Sequence, residues 1–108
     1  MATVVITGGS RGIGRAAVEL FAKKGHRVFF LYEKNHDAAR AVEEKTGARG
    51  FCCDVAKGSA VQEVFREIGP VDILICCAGI CWYGLLQSME EQAWDRIFDV
   101  NVKGVYNC

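Results

Sequence analysis

The sequence carries no excess of charge of either sign: thirteen basic residues balance thirteen acidic ones, and the basic residues form no cluster. A nucleic-acid partner is therefore not expected, because such surfaces concentrate lysine and arginine. No apolar run approaches the ~20 residues that cross a bilayer, so a membrane partner is not expected either. The chain enters an apolar run directly after Met1-Ala2, without a basic n-region or a cleavage site, and a cytoplasmic location is the expectation. There is no internal repeat and no low-complexity linker. At 108 residues the chain is one domain or part of one. A chain of that size buries roughly two-thirds of its surface, enough for one core.

Cysteine is abundant, with six residues: Cys52, Cys53, Cys76, Cys77, Cys81 and Cys108. They fall in no C-x-x-C pair, and no histidine stands near them at zinc-ligand spacing, so no metal site is expected. Four of them end apolar strand-like runs. The expectation is small buried hydrophobes kept reduced in the cytosol.

What remains is a regular alternation of short apolar runs and amphipathic stretches, the pattern of βαβ units and a parallel sheet. Strands are expected near Thr3–Thr7, Arg27–Tyr32, Gly50–Cys53 and Val71–Cys76. Helices are expected over Gly12–Lys24, with Ile13, Ala16, Ala17, Leu20 and Phe21 on one face, over Asp37–Thr46, and from a capping box at Ser59-Ala60-Val61-Gln62 to Gly69-Pro70. A loop over Gly79–Gln87 and a second capping box, Ser88-Met89-Glu90-Glu91, precede one or two further helices. Right-handed crossovers give a strand order of 3-2-1-4 in a Rossmann-like, doubly wound α/β sheet. The order reverses between the first and fourth strands, and a ligand is expected in the crevice there.

The stretch Thr7-Gly8-Gly9-Ser10-Arg11-Gly12-Ile13-Gly14 sits at that reversal, between the first strand and the first helix. Its glycines permit positive φ and close approach of a ligand, and the helix start presents free N–H groups to a phosphate. Gly12-x-Gly14-x-x-Ala17 also fits the dinucleotide fingerprint. Near the C-terminus, Asn101 shares a helical stripe with Trp94, Ile97 or Phe98, and Val105. An amide on an apolar stripe must be hydrogen-bonded if buried, so Asn101 either satisfies a helix bend or serves chemistry.

Four motifs taken together, Thr7-Gly8-x-x-x-Gly12-x-Gly14, Asp54-Val55, Ala78-Gly79-Ile80 and Asp99-Val100-Asn101-Val102-Lys103-Gly104, resemble the N-terminal half of a short-chain dehydrogenase/reductase. Gly79-Ile80 and the run from Trp94-Asp95-Arg96 to Gly104 are most similar to bacterial 3-oxoacyl-carrier-protein reductases. The resemblance implies that Gly8, Ser10, Arg11, Gly12, Ile13 and Gly14 wrap the cofactor's phosphates and adenosine ribose. It implies that Asp54 accepts from the adenine amino group, that Val55 lines the adenine pocket, and that Ala78 and Gly79 pass close to the cofactor. Asn101 takes the place of the family's catalytic asparagine. Where the family has Asn-Asn-Ala-Gly, this chain has Cys76-Cys77-Ala78-Gly79. Cysteine is a poor hydrogen-bond partner, so weaker bracing of that cofactor-touching loop is expected.

Cofactor choice turns on the end of the second strand. Tyr32 stands where an acid would hold the ribose 2′-hydroxyl of NAD, and an acid comes one residue later, at Glu33. Arg11 and Lys34 are placed to meet a 2′-phosphate, which favours NADP(H) over NAD(H). The family's serine, its Tyr-x-x-x-Lys pair and the helix of its tetramer contacts would lie beyond Cys108. Residues 1–108 are thus expected to form an NAD(P)-binding Rossmann domain truncated before those catalytic groups. Alone it is expected to reduce no carbonyl, and its open fourth strand should favour association. For the whole protein the resemblance implies a homotetrameric reductase of a small-molecule or carrier-bound carbonyl. A reductase of aminopentanone-modified elongation factor P is one alternative. A non-catalytic dinucleotide-binding or sensor module is another.

Overall fold

The computed structural model describes residues 1–108 in full. The elements alternate as β1 (Thr3–Thr7), α1 (Gly12–Lys23), β2 (Arg27–Tyr32), α2 (His36–Thr46), β3 (Arg49–Cys52), α3 (Gly58–Ile68) and β4 (Ile73–Cys76). A 3₁₀ turn (Leu86–Ser88), α4 (Glu91–Phe98), a π-helical stretch (Asp99–Lys103) and α5 (Gly104–Asn107) follow. The strands make one parallel sheet in the order β3-β2-β1-β4, the expected Rossmann-like arrangement.

Alternation along the strands sends side chains to two covered faces, which is why the central strands read as continuous apolar runs. Val4, Ile6, Val28 and Phe30 join Val18 of α1 and Ala39 and Val42 of α2 in one core. Val5, Phe29 and Leu31 join Val61, Val64 and Ile68 of α3, together with Val100 of the π-helical stretch, in the other. β1 is central, registered against Arg27–Leu31 of β2 on one side and Ile73–Cys76 of β4 on the other. Asp72 pins the start of this register: its Oδ2 accepts from the Thr3 N–H at 2.8 Å, while its own N–H donates to the Thr3 carbonyl at 2.9 Å. β4 forms the sheet edge, where Ile73 and Leu74 remain half-exposed.

Several local expectations are corrected. In α1 the face turned to the sheet carries Gly14, Ala17, Val18 and Phe21, whereas Ile13, Ala16 and Leu20 are exposed. Neither capping box forms. Asp54 and Lys57 close a turn (Lys57 N–H to the Asp54 carbonyl, 2.9 Å), so α3 starts at Gly58, ahead of Ser59. Ser88 closes the 3₁₀ turn onto Leu85, so α4 starts later, with Glu90 at its N-cap. The one side-chain N-cap is Asn35, whose Oδ1 accepts from the Ala38 N–H at 3.0 Å at the start of α2.

The cysteines are all free thiols, and their burial is mixed. Cys53 is buried, Cys77 and Cys108 are half-buried, and Cys52, Cys76 and Cys81 are exposed. Burial, then the Asp54 charge, pushes the Cys53 thiol up to about 11. Burial, then the Cys76 and Cys53 sulfurs, pushes Cys108 up to about 11 as well. The thiolate is the reactive form, so iodoacetamide at neutral pH is expected to modify exposed Cys81 first and Cys53 and Cys108 last. Peptide mass spectrometry over a time course reads that order, and early labelling of Cys53 would contradict the burial of its thiol.

Candidate functional site

A cleft of about 490 Å³ opens at the C-terminal ends of the strands, where the order reverses between β1 and β4. All twelve residues assigned above to the cofactor line it. Gly8, Ser10, Arg11, Gly12, Ile13 and Gly14 come from the turn after β1, and Tyr32 from the end of β2. Asp54 and Val55 come from the turn after β3, and Cys77, Ala78 and Gly79 from the loop after β4.

The turn after β1 is shaped by two glycines in left-handed backbone, Gly8 (φ 68°) and Gly12 (φ 58°). A third, Gly14, is required for space: a Cβ there would overlap the Gly8 carbonyl. The working pattern is therefore Gly8-x-x-x-Gly12-x-Gly14. Ala17, the last position of the alternative spacing, lies outside the turn and packs against the α1-side core. Gly9 packs against buried Phe30, whose Cβ is 2.5 Å from where a Cβ on Gly9 would stand. No side chain caps α1, whose N-cap Arg11 is extended. The first-turn N–H groups of Gly12, Ile13 and Gly14 thus face the cleft without an intrahelical acceptor.

The loop after β4 is held through its backbone. The Thr7 hydroxyl, almost fully buried, accepts from the N–H groups of Cys77 and Ala78, each at 3.1 Å. The bracing expected of side chains at positions 76 and 77 is thus supplied by a strand residue that sequence reasoning did not single out. Further along, Asn101 meets the same loop with both halves of its amide. Its Oδ1 accepts from the Ile80 N–H at 2.8 Å and its Nδ2 donates to the Ile80 carbonyl at 2.8 Å. Asn101 lies in the π-helical stretch, so it does sit at an irregularity of the helix. The apolar stripe around it is open, with Trp94, Phe98 and Val105 about half-exposed, and the buried residue of the stretch is Val100. Asn101 stands at the edge of the cleft, beside Ile80, and does not line it.

At the far end the cleft wall carries charge. Asp54 Oδ1 accepts from the Ala56 N–H at 3.0 Å, the local turn bond, and its Oδ2 accepts from Arg96 Nη1 at 3.0 Å. Partial burial raises the Asp54 carboxyl, but the Arg96 and Ala56 donors outweigh it and hold the group below its usual range. Arg96 Nη2 also donates to Glu33 Oε1 at 2.7 Å. The Tyr32 hydroxyl is hydrogen-bonded to His36 Nδ1 at 3.0 Å and its ring stands edge-on to the imidazole. Glu33, Lys34, Asn35, Ile80 and Val100 also line the cleft. The first two were legible as neighbours of Tyr32, and Ile80 as the end of Ala78-Gly79-Ile80. Arg96 had no local signal. No helix is long and apolar enough to cross a membrane.

The cradle suits a dinucleotide on these observations: glycine-lined space, unpartnered N–H groups at a helix start, and a volume in the range of small-molecule and cofactor sites. Comparison with known proteins agrees. The family model described as short chain dehydrogenase matches residues 2–108. The chain is 41% identical to the 3-oxoacyl-[acyl-carrier-protein] reductase FabG of Staphylococcus epidermidis, with 98% of this chain aligned to 47% of that protein. It is 40% identical to the cyclic-di-GMP-binding biofilm dispersal mediator protein of Escherichia coli, over 98% of this chain and 45% of that one. The crystal structure of BdcA in complex with NADPH superposes with a TM-score of 0.94 at 40% identity, covering 98% of this chain and 43% of that one. The chain spans just under half the length of these relatives. By sequence, by fold and by the arrangement of its glycine turn, this chain belongs to the short-chain dehydrogenase family.

Proposed function

We propose that residues 1–108 are the NADP(H)-holding portion of a carbonyl reductase or alcohol dehydrogenase, similar in kind to the 3-oxoacyl-carrier-protein reductases of fatty acid biosynthesis. The observation that carries this is the single cleft that gathers all twelve assigned residues at the strand-order reversal. The relative named as a 3-oxoacyl-carrier-protein reductase supports the reaction class, and the relative solved with NADPH supports the cofactor.

The chain's own residues do four things in this reading. The N–H groups at the start of α1 receive the pyrophosphate. Arg11 and Lys34 meet the 2′-phosphate by charge-assisted bonds. Asp54 and Val55 hold the adenine. Thr7 and Asn101 fix the backbone of residues 77–80 on either side of the nicotinamide end, which leaves Asn101 at the substrate side as the catalytic asparagine. A nicotinamide held there would supply the hydride for a carbonyl carbon, with a proton going to the carbonyl oxygen. Neither Tyr32 nor Tyr83 is followed by a lysine four residues later, and in this reading residues 1–108 hold the cofactor without a proton donor of their own. In the whole protein the substrate is a small-molecule or carrier-bound carbonyl and the assembly a homotetramer in the cytoplasm.

Fluorescence titration of the purified protein is expected to give tighter binding of NADPH than of NADH. Equal or tighter binding of NADH would overturn the preference, and binding of neither would overturn the cofactor reading. A second reading is a non-catalytic dinucleotide-binding or sensor module. It is supported by the E. coli relative, whose name describes binding of cyclic di-GMP. The intact run Asp99-Val100-Asn101-Val102-Lys103-Gly104 stands against it, because a pure binder has no need of a catalytic asparagine there. NADPH oxidation by the whole protein with a ketone decides between them.

A further inference from the structure

Two basic and two acidic side chains line the cleft: Arg11 and Lys34 against Glu33 and Asp54. Their charges cancel. A cleft so balanced has no electrostatic reason to prefer a cofactor that carries an additional phosphate of about two negative charges. Both acids, however, are held by one residue that does not line the cleft. Arg96 on α4 spreads its guanidinium between them, with Nη1 3.0 Å from Asp54 Oδ2 and Nη2 2.7 Å from Glu33 Oε1. It joins the ends of β2 and β3 to a helix far along the chain, 63 and 42 residues from its two partners.

From this geometry we infer that Arg96 is a positioning residue for cofactor choice: it ties back and neutralises Glu33 and orients Asp54, so that the adenosine end of the cleft accepts a 2′-phosphate. With Arg96 counted, the charges at that end sum to plus one. The Glu33 carboxylate, one residue past the position from which an acid would favour a ribose hydroxyl, is engaged by the guanidinium and opposes the phosphate less. Asp54 has one oxygen on Arg96 and the other on the Ala56 N–H, which fixes the plane of its carboxylate for the adenine amino group. Arg96 does not line the cleft and so meets neither phosphate nor base. It acts through the two acids. Arginine suits the task because its planar fork serves two carboxylates at once.

The inference rests on the reading of the cleft as an NADP(H) site, and the titrations separate the two. In the purified protein, Arg96→Ala is expected to weaken NADPH binding about five- to tenfold while NADH binding changes less than about twofold, the effect of one unit charge near a phosphate at a partly solvated site. Adding Glu33→Gln to Arg96→Ala is expected to return NADPH affinity to within about twofold of the starting protein. Arg96→Lys keeps the charge but loses the fork that serves both carboxylates, and is expected to weaken NADPH binding about two- to threefold. Glu33→Gln alone should tighten NADPH binding about twofold, and with Arg96→Lys it carries the test if Arg96→Ala does not fold. Equal losses for NADPH and NADH in Arg96→Ala would make the residue merely structural and overturn the inference. So would failure of Glu33→Gln to restore the double variant, or a Glu33→Gln variant that binds NADPH no better. If the unmodified protein binds neither cofactor, the cofactor reading itself fails and this inference falls with it.

Discussion

Gly14→Ala is expected to abolish dinucleotide binding and to lower the melting temperature by roughly 10–20 °C, because a single methyl group has nowhere to go. The Cβ would overlap the carbonyl oxygen of Gly8, and Gly8 is itself confined, since a Cβ on it would stand 2.9 Å from the Ala78 N. The contact is backbone against backbone, so no rotamer change relieves it. Either α1 lifts off the sheet or the turn after β1 opens. Lifting α1 withdraws Val18 from the core it shares with Val4, Ile6 and Phe30. Opening the turn moves the N–H groups on which the pyrophosphate reading depends. Overpacking of this kind costs about 1–3 kcal/mol, and near the upper figure it removes a large part of the ~5–15 kcal/mol that holds a domain together. Gly12→Ala makes the instructive contrast. Nothing lies within 4 Å of a Cβ on Gly12, and only its φ of 58° opposes the change. That variant is expected to lose about 1–2 kcal/mol and to keep its fold while its new methyl group intrudes on the cleft. Differential scanning calorimetry with an NADPH titration measures both. Retention of affinity in Gly14→Ala within about threefold would refute the close approach as the reason for glycine there.

The parts of this site that were legible in the sequence are those encoded locally. Strand, glycine turn and helix follow one another within a dozen residues, and the strand order follows from the handedness of the crossovers. Asn101 was legible because an amide among Trp94, Phe98 and Val105 breaks a pattern, although that stripe proved open to solvent and the residue meets the Ile80 backbone on it. What was illegible depends on distance or on competition between local choices. Ile13 and Leu20 fit a helical apolar face as well as Val18 does, and periodicity alone has no way to know that Ile13 points away from the sheet at the mouth of the cleft, 82% exposed. Ser59 and Ser88 have the chemistry of caps, but turns closed by Asp54 and Leu85 place the helix starts elsewhere. Arg96 reads as one more charged residue on an amphipathic helix until the fold brings Glu33 and Asp54 to it. Thr7 reads as the last residue of a strand.

That hydroxyl bears directly on how the chain tolerates Cys76-Cys77 where the family carries two asparagines. Thr7→Val, which keeps the side-chain shape, is expected to destabilise the protein by about 1–3 kcal/mol and to weaken NADPH binding by about tenfold or more. The Cys77 N–H has a second acceptor in the Thr7 carbonyl at 3.2 Å and remains paired. The Ala78 N–H has the hydroxyl, at 3.1 Å, as its partner and would be left facing the valine methyl group. The cost is that of orphaning a partly buried donor, and a larger share falls on binding because Ala78 lies directly against Gly8 across the cleft floor. Thr7→Ser retains the oxygen and is expected to retain binding within about twofold, losing only the methyl contact. Cys77→Ser probes the opposite case. If the loop is braced through its backbone, exchanging the sulfur for oxygen changes neither bond to Thr7, and affinity should stay within about twofold. A large effect at Cys77 together with none at Thr7 would show that the side chains after β4 hold the loop. Calorimetric stability and NADPH affinity measured side by side on the three variants read that difference, and the structure assigns the greater effect to Thr7→Val.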